Sequence, residues 1–146
     1  MSEAKLQQRC VIWFKNTYPE KGKRLFAVIN EGRDVTTKLG VGMTPGVSDL
    51  LYVDDEGYLH GFEMKEPGAS HSVQHLIKQA KWMRDVLGDR GRFVDSFEDF
   101  QSLILGGDGG VDAWRVLDYL GSCKKRSIIW NKELFDGYSI TKEIEK

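Results

Sequence analysis

Three charged residues interrupt a stretch that otherwise has the pattern of two buried β-strands. Asp49, Glu63 and Lys65 lie within "PGVSDLLYVDDEGYLHGFEMKEPG", residues 45–68. Charged side chains among buried neighbours are costly unless a partner compensates them. The apolar neighbours in this stretch are Leu50, Leu51, Phe62 and Met64. The question is which group compensates the three charges.

The turn between the two strands predicts how these residues are paired. "DDEGY" is typical of a three-residue hairpin loop, in which Gly57 adopts the left-handed conformation that closes a bulge. The loop joins strands of about 49–53 and 58–65. Pairing about this centre places Val53 opposite Leu59.

The same register places Asp49 opposite Glu63. Directly opposed residues have Cβ atoms roughly 5 Å apart, and like charges in that position destabilise a sheet. Because side chains alternate along a strand, Glu63 and Lys65 point to the same side. A slip of one residue in the register would break this arrangement.

Two carboxylates and a lysine in this arrangement are typical of metal-assisted phosphodiester hydrolysis. Mg²⁺ takes oxygen ligands and commonly uses one or two carboxylates. A neighbouring lysine orients or deprotonates a water, or stabilises negative charge on a phosphoryl oxygen. The alternative is structural: an aspartate at a strand end and a Glu63–Lys65 ion pair with no role in chemistry.

Apolar periodicity and cap residues predict the elements that position these side chains. The order is α-β-β-β-α-β-α, which indicates a single α/β arrangement. A long connection over 31–48 and a glycine hinge over 106–110 separate some of these elements. The predicted elements are helix 3–18 after Ser2, strands 25–29, 49–53 and 58–65, helix 73–87 after Ser72, strand 92–95, a helix after Ser96, and a last helix over "DAWRVLDYL".

Apolar residues on both faces of the hairpin predict its place in the sheet. One face carries Leu51, Val53 and Leu59; the other carries Leu50, Tyr52, Phe62 and Met64. A strand that is apolar on both sides belongs in the middle of a sheet that is covered on each side.

Composition bounds the class of protein. The chain has 146 residues, of which 40% are hydrophobic and 29% charged, as expected for one soluble domain. It contains no apolar run long enough to span a membrane, and its first residues lack the apolar region of a signal peptide, so we expect a cytoplasmic protein without a membrane partner. The net charge of −1 weighs mildly against nucleic-acid binding. Cys10 and Cys123 are expected to be buried thiols.

The segments "GVSDLLYV", "GYLHGFEMKEPG" and "SVQHLIKQAKWM" resemble the VRR-NUC branch of the PD-(D/E)XK nucleases, from about residue 3 to residue 105. The ordered set that carries the resemblance is Glu3, Asn30, "GVGMTPGVSDL", "FEMK" and Gln74. Ser48 departs from it, because the family name places a proline there. The resemblance implies a restriction-endonuclease-like αβββαβ core over 1–105, with a central mixed sheet flanked by helices. Residues 106–146 would be a glycine linker and a C-terminal extension packed on the same domain.

The resemblance also implies roles for individual residues. Asp49 and Glu63 would be metal ligands, together with the backbone carbonyl of Met64, and Lys65 would be the catalytic lysine. Gln74 would lie near that lysine and orient it, and Glu3 would complete the acidic cluster, in addition to its favourable place in the first turn of a helix.

Four basic residues near these positions are candidates for DNA binding. Arg33 and Lys38 lie in the long loop before the site, and Lys78 and Lys81 lie on the helix after it. A solvated helix face explains the last two equally well. His71 and His75 have the spacing of a metal-binding pair, but no third ligand accompanies them.

The function implied is that of a Mg²⁺- or Mn²⁺-dependent DNA endonuclease in a bacterial or phage-infected cell. Standalone relatives resemble phage-type homodimers that cut branched DNA such as Holliday junctions in recombination and repair. Two alternatives remain open: a flap, nicking or other nuclease of the same fold, and an inactive DNA-binding or assembly module.

Overall fold

A five-stranded mixed sheet forms the centre of the computed structural model, which describes residues 2–28 and 46–138. Across the sheet the order is β1-β2-β3-β5-β6; β4 and β7 form a separate antiparallel pair. The strands are β1 (Leu25–Ala27), β2 (Leu50–Val53), β3 (Leu59–Met64), β4 (Ser70–Ser72), β5 (Gly91–Val94), β6 (Val111–Asp112) and β7 (Ser127–Ile129). Strands β1, β2 and β3 are antiparallel, β5 runs parallel to β3, and β6 is antiparallel to β5.

Within the described residues four α-helices flank the sheet, and each begins at a residue whose side chain accepts a backbone N–H from the first turn. The caps are Ser2, Ser72, Ser96 and Asp112. Such a cap satisfies one of the donors that a helix start leaves unpaired. The helices are α1 (Glu3–Thr17), α2 (Val73–Trp82), α3 (Phe97–Ile104) and α4 (Ala113–Ser122). None of the helices in the described ranges is long and apolar enough to cross a membrane.

Separate apolar clusters cover the two faces of the sheet. Residues of α1 and α3 pack with one face, and residues of α2 and α4 pack with the other. Successive side chains of β5 point to opposite faces of the sheet, since Phe93 belongs to the cluster of α2 and α4 and Val94 to the cluster of α1 and α3. Strands β2 and β3 are both internal, as predicted from their two apolar faces. The cluster of α2 and α4 also includes Trp130 and Phe135, so the segment after the glycine-rich stretch 106–110 shares a core with α2.

The mixed α/β class and the helix-flanked mixed sheet are confirmed. The structure adds three short strands that were not predicted, and several predicted elements differ in length. Strands β4, β6 and β7 have two or three residues each, too few for periodicity to reveal. The helix predicted to reach residue 87 is α-helical to Trp82 and continues as a wider turn over Met83–Leu87 before Gly88. Cys10 is buried as expected, whereas Cys123 is only partly buried. Most of the 31–48 connection lies outside the described residues.

The hairpin loop contains a glycine whose positive φ is costly for any other residue. Gly57 has φ 88°, and a Cβ built on it meets nothing within 4 Å. Gly57→Ala is therefore expected to lower the free energy of unfolding by about 1–2 kcal/mol through backbone strain alone. Gly121, in α4, has equally open surroundings without a positive φ. Gly121→Ala should instead stabilise by up to about 1 kcal/mol in the same urea denaturation series, and equal signs would contradict the argument.

Candidate active site

Asp49 lies at the entrance of β2 and is tied to the end of β3. Its Oδ2 accepts a hydrogen bond of 2.9 Å from the Met64 N–H, and its backbone carbonyl accepts one of 3.2 Å from Val28. The β2–β3 ladder pairs Val53 with Leu59, which confirms the predicted register. One further step along this ladder places Asp49 opposite Glu63.

Glu63 is a buried carboxyl in the middle of the sheet. Its side chain is 3% exposed, between β2 on one side and β5 on the other. Burial raises the pKa of Glu63 well above its usual value, and the nearby Asp49 carboxyl raises it further. Oε1 accepts a hydrogen bond from Gln79 Nε2, whereas Oε2 is buried without a hydrogen-bond partner. One oxygen of this carboxyl is thus left for another ligand.

Lys65 is the most deeply buried charged residue of the site, at 1% exposure. Its backbone N–H donates to the Val94 carbonyl at 2.8 Å, which fixes the residue beside β5. Its Nζ donates to Gln79 Oε1 at 2.9 Å and lies 5.8 Å from the centre of the Phe93 ring. Burial lowers the pKa of Lys65, while the carboxyls of Glu63, Glu3 and Asp49 act in the opposite direction.

Gln79 joins the acid and the lysine, a role that the resemblance assigned to Gln74. Gln79 is 6% exposed and bonds both Lys65 and Glu63, whereas Gln74 is exposed in the first turn of α2. Five residues along a helix turn the side chain by about 140°, so the two glutamines cannot face the same neighbour. The sequence carried a signal for Gln79, since it lies three residues after Leu76 and four before Met83, which are both buried.

Removal of the bridging amide is expected to destabilise the fold. Gln79→Leu leaves the Lys65 ammonium and one Glu63 oxygen without their buried partner, so we expect the free energy of unfolding to fall by about 1–3 kcal/mol. Gln74→Leu, on the same helix but exposed, should change it by no more than about 0.5 kcal/mol. Urea denaturation measures both values, and equal losses in the two variants would exclude the bridge as the cause.

Glu3 and two histidines lie at the rim of the site. The first turn of α1 places Glu3 where burial raises its pKa and the charge of Lys65 lowers it. Its Oε2 is 3.6 Å from His71 Nε2. Burial, then the charge of Lys65, lowers the pKa of His71 to about 4, so this imidazole is neutral near pH 7. His75 Nε2 is 3.1 Å from Gln79 Nε2. No sequence pattern indicated that either histidine lies beside the acidic residues.

The candidate DNA-binding residues are only partly described. Lys78 and Lys81 are exposed on α2. Arg33 and Lys38, with Asn30 of the resemblance, lie outside the described residues. DNA binding by these four basic residues therefore stays a prediction.

The residues present fit a divalent cation. Glu63 keeps a buried carboxylate oxygen unpartnered beside a second carboxylate, and the only buried cation at hand in the described chain is Lys65. No three His, Cys, Asp or Glu side chains come together as a ligand set within residues 2–28 and 46–138. Two carboxylates suffice for Mg²⁺, which keeps several waters and completes its shell with substrate phosphate.

Comparisons with known proteins do not place the chain in a family. Nothing matches it among protein-family models, curated proteins or solved structures. The motif and its geometry therefore carry the functional argument, since a fold by itself does not determine a function.

Proposed function

We propose that this chain is a divalent-metal-dependent DNA endonuclease of the VRR-NUC type. The observation that carries the proposal is the meeting of Asp49 and Glu63 at one end of a buried hairpin, with Lys65 two residues beyond Glu63. A buried lysine and a carboxyl with a strongly raised pKa are typical of functional sites. A structural ion pair alone leaves the buried Glu63 Oε2 unexplained.

The order of elements supports a restriction-endonuclease-like core. Helix α1 precedes three antiparallel strands, and α2 then leads to β5, which lies parallel to β3. This is the αβββαβ order that the resemblance implies. In this arrangement the hairpin supplies Asp49, Glu63 and Lys65, while α2 supplies Gln79 and α1 supplies Glu3, so strands and helices position the site.

Each residue then has a role in hydrolysis. Asp49 and Glu63, with the Met64 carbonyl, would hold Mg²⁺ or Mn²⁺. When bound, the cation polarises the phosphate and neutralises its charge. Lys65 orients the attacking water and stabilises charge on the phosphoryl oxygen as water adds to phosphorus and the P–O bond to the leaving oxygen breaks. Gln79 holds the ammonium and the carboxyl in place, and Glu3 adds negative charge at the rim.

Branched DNA is the substrate we propose, with a homodimer as the active species. Both follow from the resemblance to standalone phage-type nucleases. Two sites related by a dyad match a four-way junction, which offers two symmetric scissile bonds.

The test is a panel of labelled DNA substrates. A four-way junction, a flap, a nicked duplex and a plain duplex are each incubated with Mg²⁺, Mn²⁺ or EDTA, beside Lys65→Ala. We expect symmetric, metal-dependent cutting of the junction that is absent in the variant. Cutting of a different substrate would overturn the junction but keep the nuclease. Binding without cutting of any substrate would favour an inactive DNA-binding module.

A further inference from the structure

A groove on the outer side of α1 combines cationic and aromatic side chains. It encloses about 500 Å³ and is open to solvent. It is defined here as the α1 groove, and its lining residues are Lys5, Gln8, Arg9, Ile12, Trp13 and Phe97. Residues three and four apart share one face of a helix, so the first five form a continuous stripe along α1.

The aromatic floor of the α1 groove is held in place by its neighbours. The Trp13 ring makes edge contacts with Tyr18, Phe97 and Phe100, with ring centres 5.8–6.1 Å apart. The Arg9 guanidinium lies over the Phe97 ring, 4.1 Å from its centre. A guanidinium held on a ring keeps its N–H donors available for a phosphate. Ile12 adds an apolar side chain that is 52% exposed.

The charge of the α1 groove favours an anionic ligand. Lys5 and Arg9 are exposed, and the lining side chains within the described residues include no carboxylate. The chain as a whole has 22 acidic and 21 basic residues, so this local excess of positive charge is not a property of the whole surface. Cations beside aromatic rings are the features with which proteins bind single-stranded nucleic acid, through phosphates and stacked bases.

The position of the groove relates it to the candidate active site. Helix α1 begins at Glu3, whose carboxyl is close enough to Lys65 for the lysine to lower its pKa. With a rise of 1.5 Å per residue, Arg9 lies about 9 Å and Trp13 about 15 Å along the helix axis from Glu3, but at about 100° per residue Lys5, Gln8, Arg9 and Ile12 are turned by about 120–180° around that axis. A strand that leaves the site therefore reaches the groove by passing around the start of α1, over a path of about 20 Å, or roughly six nucleotides at 3.4 Å each.

We propose that the α1 groove binds a single-stranded DNA segment next to the branch point of the substrate. The inference rests on the proposed endonuclease function and specifies its substrate: the cut DNA carries unpaired nucleotides beside the scissile bond. Duplex DNA stacks its bases inside the helix, so an aromatic groove gains more from an unpaired base.

Oligonucleotide binding in EDTA tests the groove without cleavage. A fluorescent oligothymidylate of about 12 nucleotides is titrated by anisotropy at several salt concentrations. We expect Lys5→Ala/Arg9→Ala to weaken binding about tenfold or more and to make the slope of log K against log salt shallower by about 1.4, since each phosphate contact contributes about 0.7. The matched control is Lys124→Ala/Lys125→Ala, an exposed basic pair elsewhere, which should leave both values unchanged.

Tryptophan fluorescence reports the stacking directly. The chain has four tryptophans, so the quenching that the oligonucleotide causes is compared between the wild-type protein and Trp13→Phe. We expect most of the quenching to disappear in the variant. Retention of full quenching in Trp13→Phe, or equal loss of affinity in the two basic double variants, would overturn the proposal that the α1 groove binds single-stranded DNA.

The outcomes separate the groove from the endonuclease. Cleavage of branched DNA together with unchanged oligonucleotide binding in Lys5→Ala/Arg9→Ala would overturn the groove and leave the nuclease. Groove-dependent binding without cleavage of any substrate would overturn the nuclease. A shift of the double variant from dimer to monomer in sedimentation velocity, with unchanged oligonucleotide affinity, would assign the groove to a second copy of the chain and overturn the DNA ligand.

Discussion

Lys65→Met is expected to reduce DNA cleavage by about 10³-fold, because it removes the buried ammonium while keeping a side chain of similar length. Lys65 Nζ is held by Gln79 Oε1 and has the Glu63 carboxyl as its neighbour on the same side of β3. In this buried position a fixed positive charge acts more strongly on a developing phosphoryl charge than in water. Methionine has no group that orients water or stabilises that charge.

Controls must distinguish a loss of catalysis in Lys65→Met from a loss of folding or of DNA binding. Thermal denaturation of Lys65→Met and anisotropy of the junction in EDTA check folding and binding, which we expect to be retained. Lys124→Met is the control, since Lys124 is an exposed lysine that belongs neither to the site nor to the candidate DNA-binding residues. Cleavage by Lys65→Met within about tenfold of the Lys124→Met rate would exclude Lys65 from the chemistry.

Local turn chemistry explains why the acidic pair was predictable from sequence. Gly57, at φ 88°, closes a loop in which the Gly57 N–H donates to the Asp54 carbonyl and the Asp54 N–H to the Tyr58 carbonyl. A loop of fixed length sets the register of the strands it joins, so every later pair follows from it. The helix caps were predictable for the same reason, since each cap bonds within its own first turn.

Tertiary packing explains what sequence did not reveal. Which glutamine of α2 faces Lys65 depends on how the helix rotates against the sheet, and the buried stripe around Gln79 was the only local indication. The β4–β7 pair joins Ser70 to Ile129, far apart along the chain, so no turn signal links its strands. His71 reaches Glu3 through that same non-local placement. Short strands take their conformation from such partners more than from intrinsic propensity.

Glu63→Gln is expected to stabilise the metal-free protein at neutral pH while abolishing cleavage. The wild-type carboxyl is buried beside Asp49. Burial and the charge of Asp49 both raise the pKa of Glu63 above the ordinary value of 4.5. A glutamine carries no charge to bury, so we expect the free energy of unfolding near pH 7.5 to rise by about 1–3 kcal/mol. Urea denaturation in EDTA measures the change, and the substrate panel measures the lost activity.

The pH dependence of this gain follows from the sign of the pKa shift. An acid whose pKa is higher in the folded than in the unfolded state binds its proton more tightly when folded. The wild-type protein therefore keeps this contribution below pH 4.5 and loses it as the pH rises through the folded pKa. The gain of Glu63→Gln should shrink toward zero as the pH falls to 4.5. Glu56→Gln, at an exposed position in the hairpin loop, should show no such trend.

A divalent cation should reverse the order of stability, because a ligand that binds only the folded state raises its Tm. We expect Mg²⁺ or Mn²⁺ to raise the Tm of the wild-type protein and to have little effect on Glu63→Gln, which has lost one of the two carboxylates. This readout needs no DNA and no turnover, so it tests the metal site apart from the nuclease. An equal rise in both proteins would place the cation elsewhere, and the structural ion pair would then be the better account of Glu63 and Lys65.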